Sequence, residues 1–532
     1  MVLVDRLRSS PSGREPTERG WSLDFLRGAG VAAGLTAMFV LSAFTAPSAL
    51  AAGYDPVRDM NSMYNTTAYT GATAWWHAGY TGRGVDVAII DTGVAPVEGL
   101  TSPGKIVYGP DLSFESQAPN LTNLDTNGHG TFMAGIIAGR GSHAVPGTYA
   151  TDKTHFLGVA PDARIVSLKV GVADGAADVS QVIAAIDWVV QHRTDHGLNI
   201  RVLNLSYGTN STQSYIHDPL AYAVERAWRA GIFVVTAAGN SGFVARTRSL
   251  TDPAYDPKIF AVGASDSMGT ATTADDKVPS FSSDGSASRS PDVVAPGTHI
   301  VSLRVPGSYI DDTYRKTGRV SDTLFRGSGT SEAAAFAAGA AALVIQQRPA
   351  ITPDQLKDMF LLNAIALDNV PGRKQGQGEV GMKSMLTART PTPPDAWKSV
   401  PWSDGSGSLE ASRGTEHLIA GGVVLSGEQD IFGAPFDSAA MARLEAKARS
   451  WSGGTWNGNS WSGSSWSGNS WSGSSWSGSS WSGNSWSGSS WSGSSWSGNS
   501  WSGSSWSGSS WSGSSWSGSS WSGNSWSGSS WS

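Results

Sequence analysis

The chain has 532 residues, and its 37 basic and 43 acidic side chains give a formal net charge of −6 at pH 7. This length holds one large domain or two to three average ones, and the mildly acidic balance argues against nucleic acid or an anionic membrane as a partner. Because the sequence has no cysteine, disulfides, zinc thiolate sites and a cysteine nucleophile are excluded.

The first fifty residues have the features of an export signal. Several arginines precede an apolar stretch at 28–50, and Ala49 and Ala51 are small residues suited to flank a cleavage site. The alternative is an uncleaved membrane anchor, since about 20 apolar residues can span a bilayer, but Pro47 favours cleavage. We predict an extracellular or cell-surface protein with two N-terminal regions: a signal peptide at 1–51 and a short segment at 52–73.

The middle of the chain, 74–390, alternates strand-like and helix-like stretches. Continuous apolar runs of strand length include "VDVAIID", "RVLNLSYG" and "GIFVVTAAGN", and between them "QVIAAIDWVVQHR" has apolar residues at helical spacing. Continuous rather than alternating apolar strands are typical of a parallel sheet buried on both faces. We therefore predict an α/β domain with a central, mostly parallel sheet. Active sites in such sheets lie at the carboxyl ends of strands, where Asp91 and Asn240 both fall.

The remainder of the chain differs in composition. A proline- and glycine-rich stretch and a short helical segment predict a linker region at 391–450. From 451 to 532 the chain repeats every five residues, mostly W-S-G-[SN]-S, with 17 tryptophans in register. This period puts successive tryptophans on opposite faces of a strand and about 140° apart on a helix. We predict a disordered, low-complexity tail that adheres to cell-wall polysaccharide or self-associates, the alternative being a tail without a single partner.

Three polar residues in the α/β domain have residue types suited to catalysis. Asp91 directly follows a strand in "VAIIDTGV", although an aspartate there can simply cap a turn. His129 lies between glycines in "DTNGHGTFMAG", although a structural histidine also fits this context. Ser331 begins a helical run in "GSGTSEAAAF", where serine is most often an N-cap. The same helix start offers free N–H groups and a positive dipole end, which can hold an oxyanion.

Together these residues carry a family resemblance. Asp91, His129 and Ser331 occur in the chain order of subtilisin, and the surrounding words "DTGV", "NGHGTFMAG", "NLSYG", "AAGN", "DVVAPG" and "GTSEAA" follow in sequence. The region 74–386 resembles subtilisin-type serine proteases of the subtilase family. The resemblance implies a three-layer subtilisin-like fold with helices on both faces of the sheet, and a serine endopeptidase that cleaves peptide or protein substrates with an Asp-His-Ser triad.

The resemblance also implies binding residues. The side chain of Asn240 and the backbone N–H of Ser331 form the oxyanion hole. The segment "LSYG" pairs with an extended substrate and forms one side of the specificity pocket. Two small residues, Ala237 and Gly239, form the other side, although tight packing explains small residues equally well. The implied substrate-binding residues are Leu205, Ser206, Tyr207, Gly208, Ala237 and Gly239. No cofactor is required for the chemistry. Structural calcium is possible, but Asp275-Asp276 and Asp311-Asp312 lack a spaced ligand loop and are interpreted as solvated charge.

The sequence departs from the family at three places. Relatives usually follow the serine with Met-Ala-Ser-Pro-His, whereas Glu332 stands here before an alanine run. Its carboxylate raises the pKa of His129 if it faces the site. Secreted relatives usually carry a longer folding propeptide where only the short segment at 52–73 stands here, so this protein folds unaided or something else assists it. The insertion 305–327 is expected to cover or shape the cleft. A competing hypothesis is a surface or matrix-binding protein whose protease-like domain has lost activity, against which the complete set of catalytic residue types argues.

Overall fold

The structure is a computed structural model that describes residues 53–531 except 118–119, 243–249, 287, 421–422, 453–454, 461–464 and 523–524. The predicted signal peptide lies outside the described residues. Seven strands form the main sheet: β1 (Asp86–Asp91), β2 (Ile106–Asp111), β3 (Arg164–Lys169), β4 (Ile200–Leu205), β5 (Phe233–Ala237), β6 (Phe260–Ser265) and β7 (Val293–Pro296). Their order in the sheet is β2-β3-β1-β4-β5-β6-β7.

All neighbouring strands of this sheet are parallel. Strands β1, β5, β6 and β7 are buried at every position, as continuous apolar runs predict for a sheet covered on both faces. The predicted parallel α/β sheet is therefore confirmed. Because the strands run the same way, the ends of β1 and β5 meet at one edge of the sheet, and Asp91 and Asn240 lie there.

Thirteen helices accompany the sheet: α1 (Met63–Tyr69), α2 (Ala72–His77), α3 (His129–Ala138), α4 (Val179–His192), α5 (Pro219–Arg229), α6 (Tyr309–Gly318), α7 (Thr330–Gln347), α8 (Pro353–Leu362), α9 (Gly372–Gln375), α10 (Met382–Met385), α11 (Asp395–Ser399), α12 (Leu409–Arg413) and α13 (Ser438–Glu445), all within the described residues. Helices α3 and α7 pack together against one face of the sheet, and α4 and α5 pack together against the other. None of the helices in this described part is long and apolar enough to cross a membrane.

Helix α7 is the centre of the core. Every residue from Thr330 to Ile345 is buried, because alanine and glycine allow neighbouring backbones to come close. A Cβ atom on Gly339 would lie only 2.7 Å from Cβ of Val159 and 3.0 Å from the carbonyl oxygen of Ile137. The small residues after Ser331 therefore fix the helix in place by close packing.

The smaller strands lie outside the main sheet. Strands β8 (Ile300–Leu303) and β9 (Leu324–Gly327) precede and follow α6 in the chain and pair with each other antiparallel. The insertion is therefore a helix whose two ends are connected to paired strands. Further short strands follow: β10 (Ile419–Ala420), β11 (Val423–Val424), β12 (Trp451–Ser452), β13 (Thr455–Trp456) and β14 (Asn459–Ser460). Strand β10 pairs with β11, and β12, β13 and β14 form an antiparallel sheet.

The segment interpreted as a linker, 391–450, packs on the protease body together with the start of the repeats. Its apolar side chains Leu409, Leu418, Ile431, Phe436 and Met441 belong to the same core as the main sheet. Trp456 is fully buried, and its indole N–H donates to Oδ2 of Asp187 in α4 at 2.7 Å. Residues up to Ser460 are thus part of one folded body rather than a free connection.

The repeats beyond this point differ from the predicted disordered tail. The backbone of β15 (Ser465–Ser522) is extended, and β16 (Ser525–Trp531) pairs with it in parallel. Ser510 pairs with Ser525 and Trp516 with Trp531, so partners are three five-residue repeats apart. The prediction considered only the faces on which tryptophans five residues apart fall on a single isolated strand or helix. Nearly identical repeats can also pair with one another in register, which satisfies the backbone groups.

Candidate active site

Asp91 and His129 are joined by hydrogen bonds. Asp91 ends β1 and His129 begins α3, and the His129 Nδ1 atom lies 2.8 Å from Oδ1 and 3.0 Å from Oδ2 of Asp91. Both side chains are largely buried. A Cβ atom on Gly130 would lie 2.1 Å from the Gly93 carbonyl oxygen. The glycine after His129 is therefore required for α3 to approach the loop after β1, as the sequence context indicates.

Asp125 organises this approach, and sequence reasoning did not identify it. Its Oδ1 atom accepts hydrogen bonds from the Thr92 hydroxyl (2.8 Å) and the Gly128 N–H (2.7 Å). Its Oδ2 atom accepts from the N–H (2.8 Å) and hydroxyl (2.6 Å) of Thr131. The carboxylate thus ties the loop after Asp91 to the start of α3. Its position three residues before a glycine at a helix start is the sequence signal that points to such a cap.

The charges around His129 favour its protonated form. Burial lowers the pKa of His129, but the attraction and hydrogen bond of Asp91, followed by the charges of Glu332 and Asp125, outweigh burial and raise the pKa above its ordinary value. The prediction that Glu332 raises the pKa of His129 therefore has the right direction. An imidazole in this environment holds a proton more readily than one in water.

Ser331 is the second residue of α7, and Gly329 is the N-cap residue. The interpretation of Ser331 as an N-cap is therefore wrong. Glu332, the next residue, lines one cavity with His129, so the first turn of α7 lies beside the imidazole ring. Within the described residues no hydrogen bond joins Ser331 Oγ to His129; hydrogen bonds of this kind are often loose without substrate and tighten when substrate binds.

Asn240 faces the same helix start with a fixed amide. Its Oδ1 atom accepts from the Thr330 N–H (2.9 Å) and from the Thr330 hydroxyl (3.0 Å), and the Gly239 N–H donates to that hydroxyl oxygen at 3.1 Å. Because Oδ1 is engaged, Nδ2 is the end of the amide that remains available as a donor. A Cβ atom on Gly329 would lie 3.5 Å from this Nδ2, which places the donor beside the turn that carries Ser331.

The structure brings the two groups of predicted substrate-binding residues together. Leu205 and Ala237 end the neighbouring strands β4 and β5. A Cβ atom on Gly208 would lie 2.4 Å from the Thr251 hydroxyl, and one on Gly239 would lie 2.9 Å from the Thr251 methyl carbon. Thr251, which sequence reasoning missed, therefore lies between the two glycines. Gly239 also has a φ of 107°, a left-handed conformation that favours glycine.

The remaining two residues of the "LSYG" segment, Ser206 and Tyr207, are only partly exposed. Ser206 accepts a hydrogen bond from the Asn204 side-chain amide at 3.1 Å. The Tyr207 hydroxyl is buried and has no protein hydrogen-bond partner among the described residues. Burial raises the pKa of Tyr207 well above its ordinary value, and the charges of Asp178 and Glu416 add to this. The presence of tyrosine at position 207 is therefore explained by packing no less than by substrate contact.

The interpretation of the two acidic pairs as solvated charge is wrong for one member of each. Asp311 is buried and forms an ion pair with Arg304, with Nε–Oδ1 at 2.6 Å, while Asp276 is buried near Glu379. Asp312 is exposed and pairs with Arg315. In each pair the two adjacent residues lie in opposite environments, one buried and one exposed. Among the described residues, no group of three or more histidine or acidic side chains has an arrangement that could hold a metal ion.

Comparison with known proteins gives the family. The peptidase S8 model, described as the subtilase family, matches residues 82–379. Serine protease AprX of Bacillus subtilis (strain 168) is 39% identical over 287 residues, which cover 53% of this chain and 61% of AprX. The minor extracellular protease Epr of the same strain is 31% identical over 314 residues, which cover 59% of this chain and 40% of Epr.

A third relative matches over most of its own length. Subtilisin DY of Bacillus licheniformis is 34% identical over 290 residues, which cover 54% of this chain and 86% of that protein. The chain spans less than two thirds of AprX and Epr. The match to the family model nevertheless extends over more than half of this chain and includes the loop after β1, the start of α3 and the start of α7. The chain belongs to the subtilase family.

Proposed function

We propose that this chain is a serine endopeptidase that uses Asp91, His129 and Ser331 to hydrolyse peptide bonds. The observation that carries the proposal is the hydrogen bond between His129 Nδ1 and the buried carboxylate of Asp91, made beside the helix start that bears Ser331. Membership in a family whose relatives are named as serine proteases supports it. Peptides or proteins are the corresponding substrates.

In the proposed mechanism His129 acts first as a base and then as an acid. Its Nε2 atom takes the proton from Ser331 Oγ while Oγ attacks the scissile carbonyl carbon. The Asp91 carboxylate accepts a hydrogen bond from Nδ1–H without taking the proton, which fixes the ring and stabilises the imidazolium. The imidazolium then protonates the leaving amine, so the peptide C–N bond breaks and an acyl-enzyme remains. Water, deprotonated by His129, then attacks the acyl carbon; the bond from this carbon to Ser331 Oγ breaks, Oγ takes the proton back from His129, and the carboxylic acid is released. Every proton stays on these side chains, the substrate and water, so the chemistry uses no cofactor.

The proposed oxyanion hole consists of the Asn240 side chain and the Ser331 N–H. The first N–H groups of a helix have no intrahelical partner, and the Thr330 N–H is already committed to Asn240. The Ser331 N–H and the Asn240 Nδ2 therefore remain as two donors for a developing negative charge. Donors that are fixed before the reaction stabilise the transition state without reorganisation. The bond to Thr330 is what holds Asn240 in this position.

A fluorophosphonate probe tests the proposed nucleophile directly. We expect the wild-type protein to be labelled covalently at Ser331 and to cleave peptides, whereas Ser331→Ala is neither labelled nor active while it keeps the wild-type thermal midpoint. Equal labelling of the two proteins would contradict the proposal. An unlabelled, inactive but folded wild type would favour the alternative of a surface-binding protein with an inactive protease-like domain. Peptide mapping of the labelled protein identifies the modified serine.

We further propose that the protein is exported and that the repeat tract attaches it to cell-wall polysaccharide or to other copies of itself. The similarity to Epr, a minor extracellular protease, supports export, and the regular spacing of tryptophans supports a multivalent contact. Because the chain is packed up to Ser460, the test is deletion of 465–532 rather than of the whole tract. We expect the shortened protein to retain peptide hydrolysis and to lose sedimentation with cell walls. Undiminished sedimentation would contradict the role of the tract.

A further inference from the structure

Glu332 is an acidic side chain in the first turn of α7, directly after Ser331, and it is only 3% exposed. The carboxylate lies over two glycines. A Cβ atom on Gly327 would approach Oε1 to 2.5 Å, and one on Gly329 would approach Oε2 to 2.7 Å. Any other residue at these two positions would displace the carboxylate. The glycines in "GSGTSE" therefore make room for Glu332 beside the nucleophile.

The Glu332 carboxylate has no protein donor or cation paired with it among the described residues. Arg304 lines the same cavity, but its guanidinium is already occupied. The Nε and Nη2 atoms of Arg304 each lie 2.6 Å from an oxygen of Asp311, and its Nη1 donates to the Asp322 carbonyl oxygen at 2.8 Å. A buried carboxylate without a paired cation is costly, so a positive charge that forms beside Glu332 is favoured.

The group that shares the cavity with Glu332 is His129. The cavity has a volume of about 20 Å³, enough for one water molecule, and its walls are mainly apolar side chains. The insertion forms one wall of it, because Ser308 and Ile310 at the start of α6 line it together with Phe325 of β9. Apolar, water-poor surroundings strengthen the interaction between charges compared with bulk water.

The charged groups that face His129 come from each element packed against it. Asp91 lies at the end of β1, Asp125 in the loop before α3 and Glu332 in α7. Arg304 and Asp311 also line the cavity, but their charges neutralise each other. Asp91 and Asp125 each accept several hydrogen bonds from their surroundings. Glu332 differs from both, because no donor among the described residues is bonded to its carboxylate and the side chain lines the cavity.

We propose that Glu332 is a positioning residue that stabilises the imidazolium form of His129 during catalysis, as a second anionic partner in addition to Asp91. The inference rests on the proposed function, in which His129 is protonated when Ser331 attacks. The raised pKa of His129, to which Glu332 contributes, agrees with it. His129 must be neutral to act as a base, so activity falls as the pH drops through the His129 pKa. Removing the Glu332 charge lowers that pKa and moves the acid limit of activity to lower pH.

The pH dependence of kcat/KM tests this inference. In Glu332→Gln we expect the acid limb to move down by about one pH unit, because glutamine has the same shape without the charge. Asp312→Asn is the matched control, since it removes an exposed carboxylate of α6 and should leave the limb in place. An unmoved limb in Glu332→Gln, or an equal shift in both variants, would overturn the proposal. Glu332→Met, which fills the same space with an uncharged side chain, should shift the limb in the same direction.

A second measurement does not depend on turnover. In the Ser331→Ala background, an NMR titration of the His129 ring should give a midpoint about one pH unit lower when Glu332 is replaced by glutamine. Identical midpoints would overturn the role of Glu332 even in a protein without activity. If the wild type cleaves no peptide but the midpoint still shifts, the proposed function fails and the electrostatic inference stands. Added salt should leave the shift largely intact, because buried charges are screened much less than exposed ones.

Discussion

Replacing His129 by alanine is expected to lower kcat by about a millionfold, the loss that subtilisin suffers when it loses its histidine or its serine. The expected loss is large because in the proposed mechanism the imidazole both activates Ser331 and protonates the leaving amine, and no other described base is hydrogen-bonded to Asp91 in its place. Hydrolysis of a chromogenic peptide under saturating substrate measures kcat, and thermal unfolding confirms that the variant is folded.

The sharper test is the double variant of His129 and Ser331. Because the two residues act as a unit, the double variant should be little slower than either single variant, instead of showing the product of the two losses. His143→Ala is the matched control, since His143 is an exposed histidine and its loss should leave kcat unchanged. Multiplicative losses, or a His129→Ala variant with near-normal kcat, would show that the two residues do not cooperate in one reaction.

The parts of the site that sequence predicts are those with a local signal. A buried strand followed by a polar residue identified Asp91 and Asn240, and a helix start after glycines identified Ser331. These features follow from backbone geometry over a few residues, so their physical reason is visible in the sequence itself. The partnership of Asp91 and His129 has no such local signal and was implied by the resemblance to the subtilase family, whose motifs follow the same order in the chain.

The parts that sequence does not predict depend on partners far apart in the chain. Arg413 lies in a polar stretch that suggests a surface, and its partner Asp178 is 235 positions away. The role of Asp311 is similarly hidden, because the buried Arg304 that neutralises it cannot be told from an exposed arginine by residue type. The prediction for the repeat tract rested on the face that each tryptophan takes on one strand or helix. In the structure, repeats pair with one another through their backbones.

Arg413 is expected to be the side chain of the C-terminal segment that matters most for stability. It is fully buried, and its Nε atom lies 2.6 Å from Oδ2 of Asp178, the N-cap residue of α4. Its Nη1 also donates to the Gly427 carbonyl oxygen at 2.6 Å, and its Nη2 to the Gln429 carbonyl oxygen. One guanidinium thus links α4, which packs on the main sheet, to two positions in the segment that follows α12.

Replacing Arg413 by leucine should therefore lower the free energy of unfolding by about 3–5 kcal/mol, because it leaves the buried Asp178 carboxylate without its cation. Denaturant unfolding followed by tryptophan fluorescence measures the loss, and Arg443→Leu, at an exposed arginine of α13, should cost little. Adding Asp178→Asn to Arg413→Leu should cost less than the sum of the single changes, since the two residues are in contact. A loss in Arg413→Leu no larger than in Arg443→Leu would mean that the segment rests on the protease body without stabilising it. The expected loss instead makes residues beyond the family-like region a part of the catalytic domain's own stability, because the ion pair fastens them to the helix that covers the sheet.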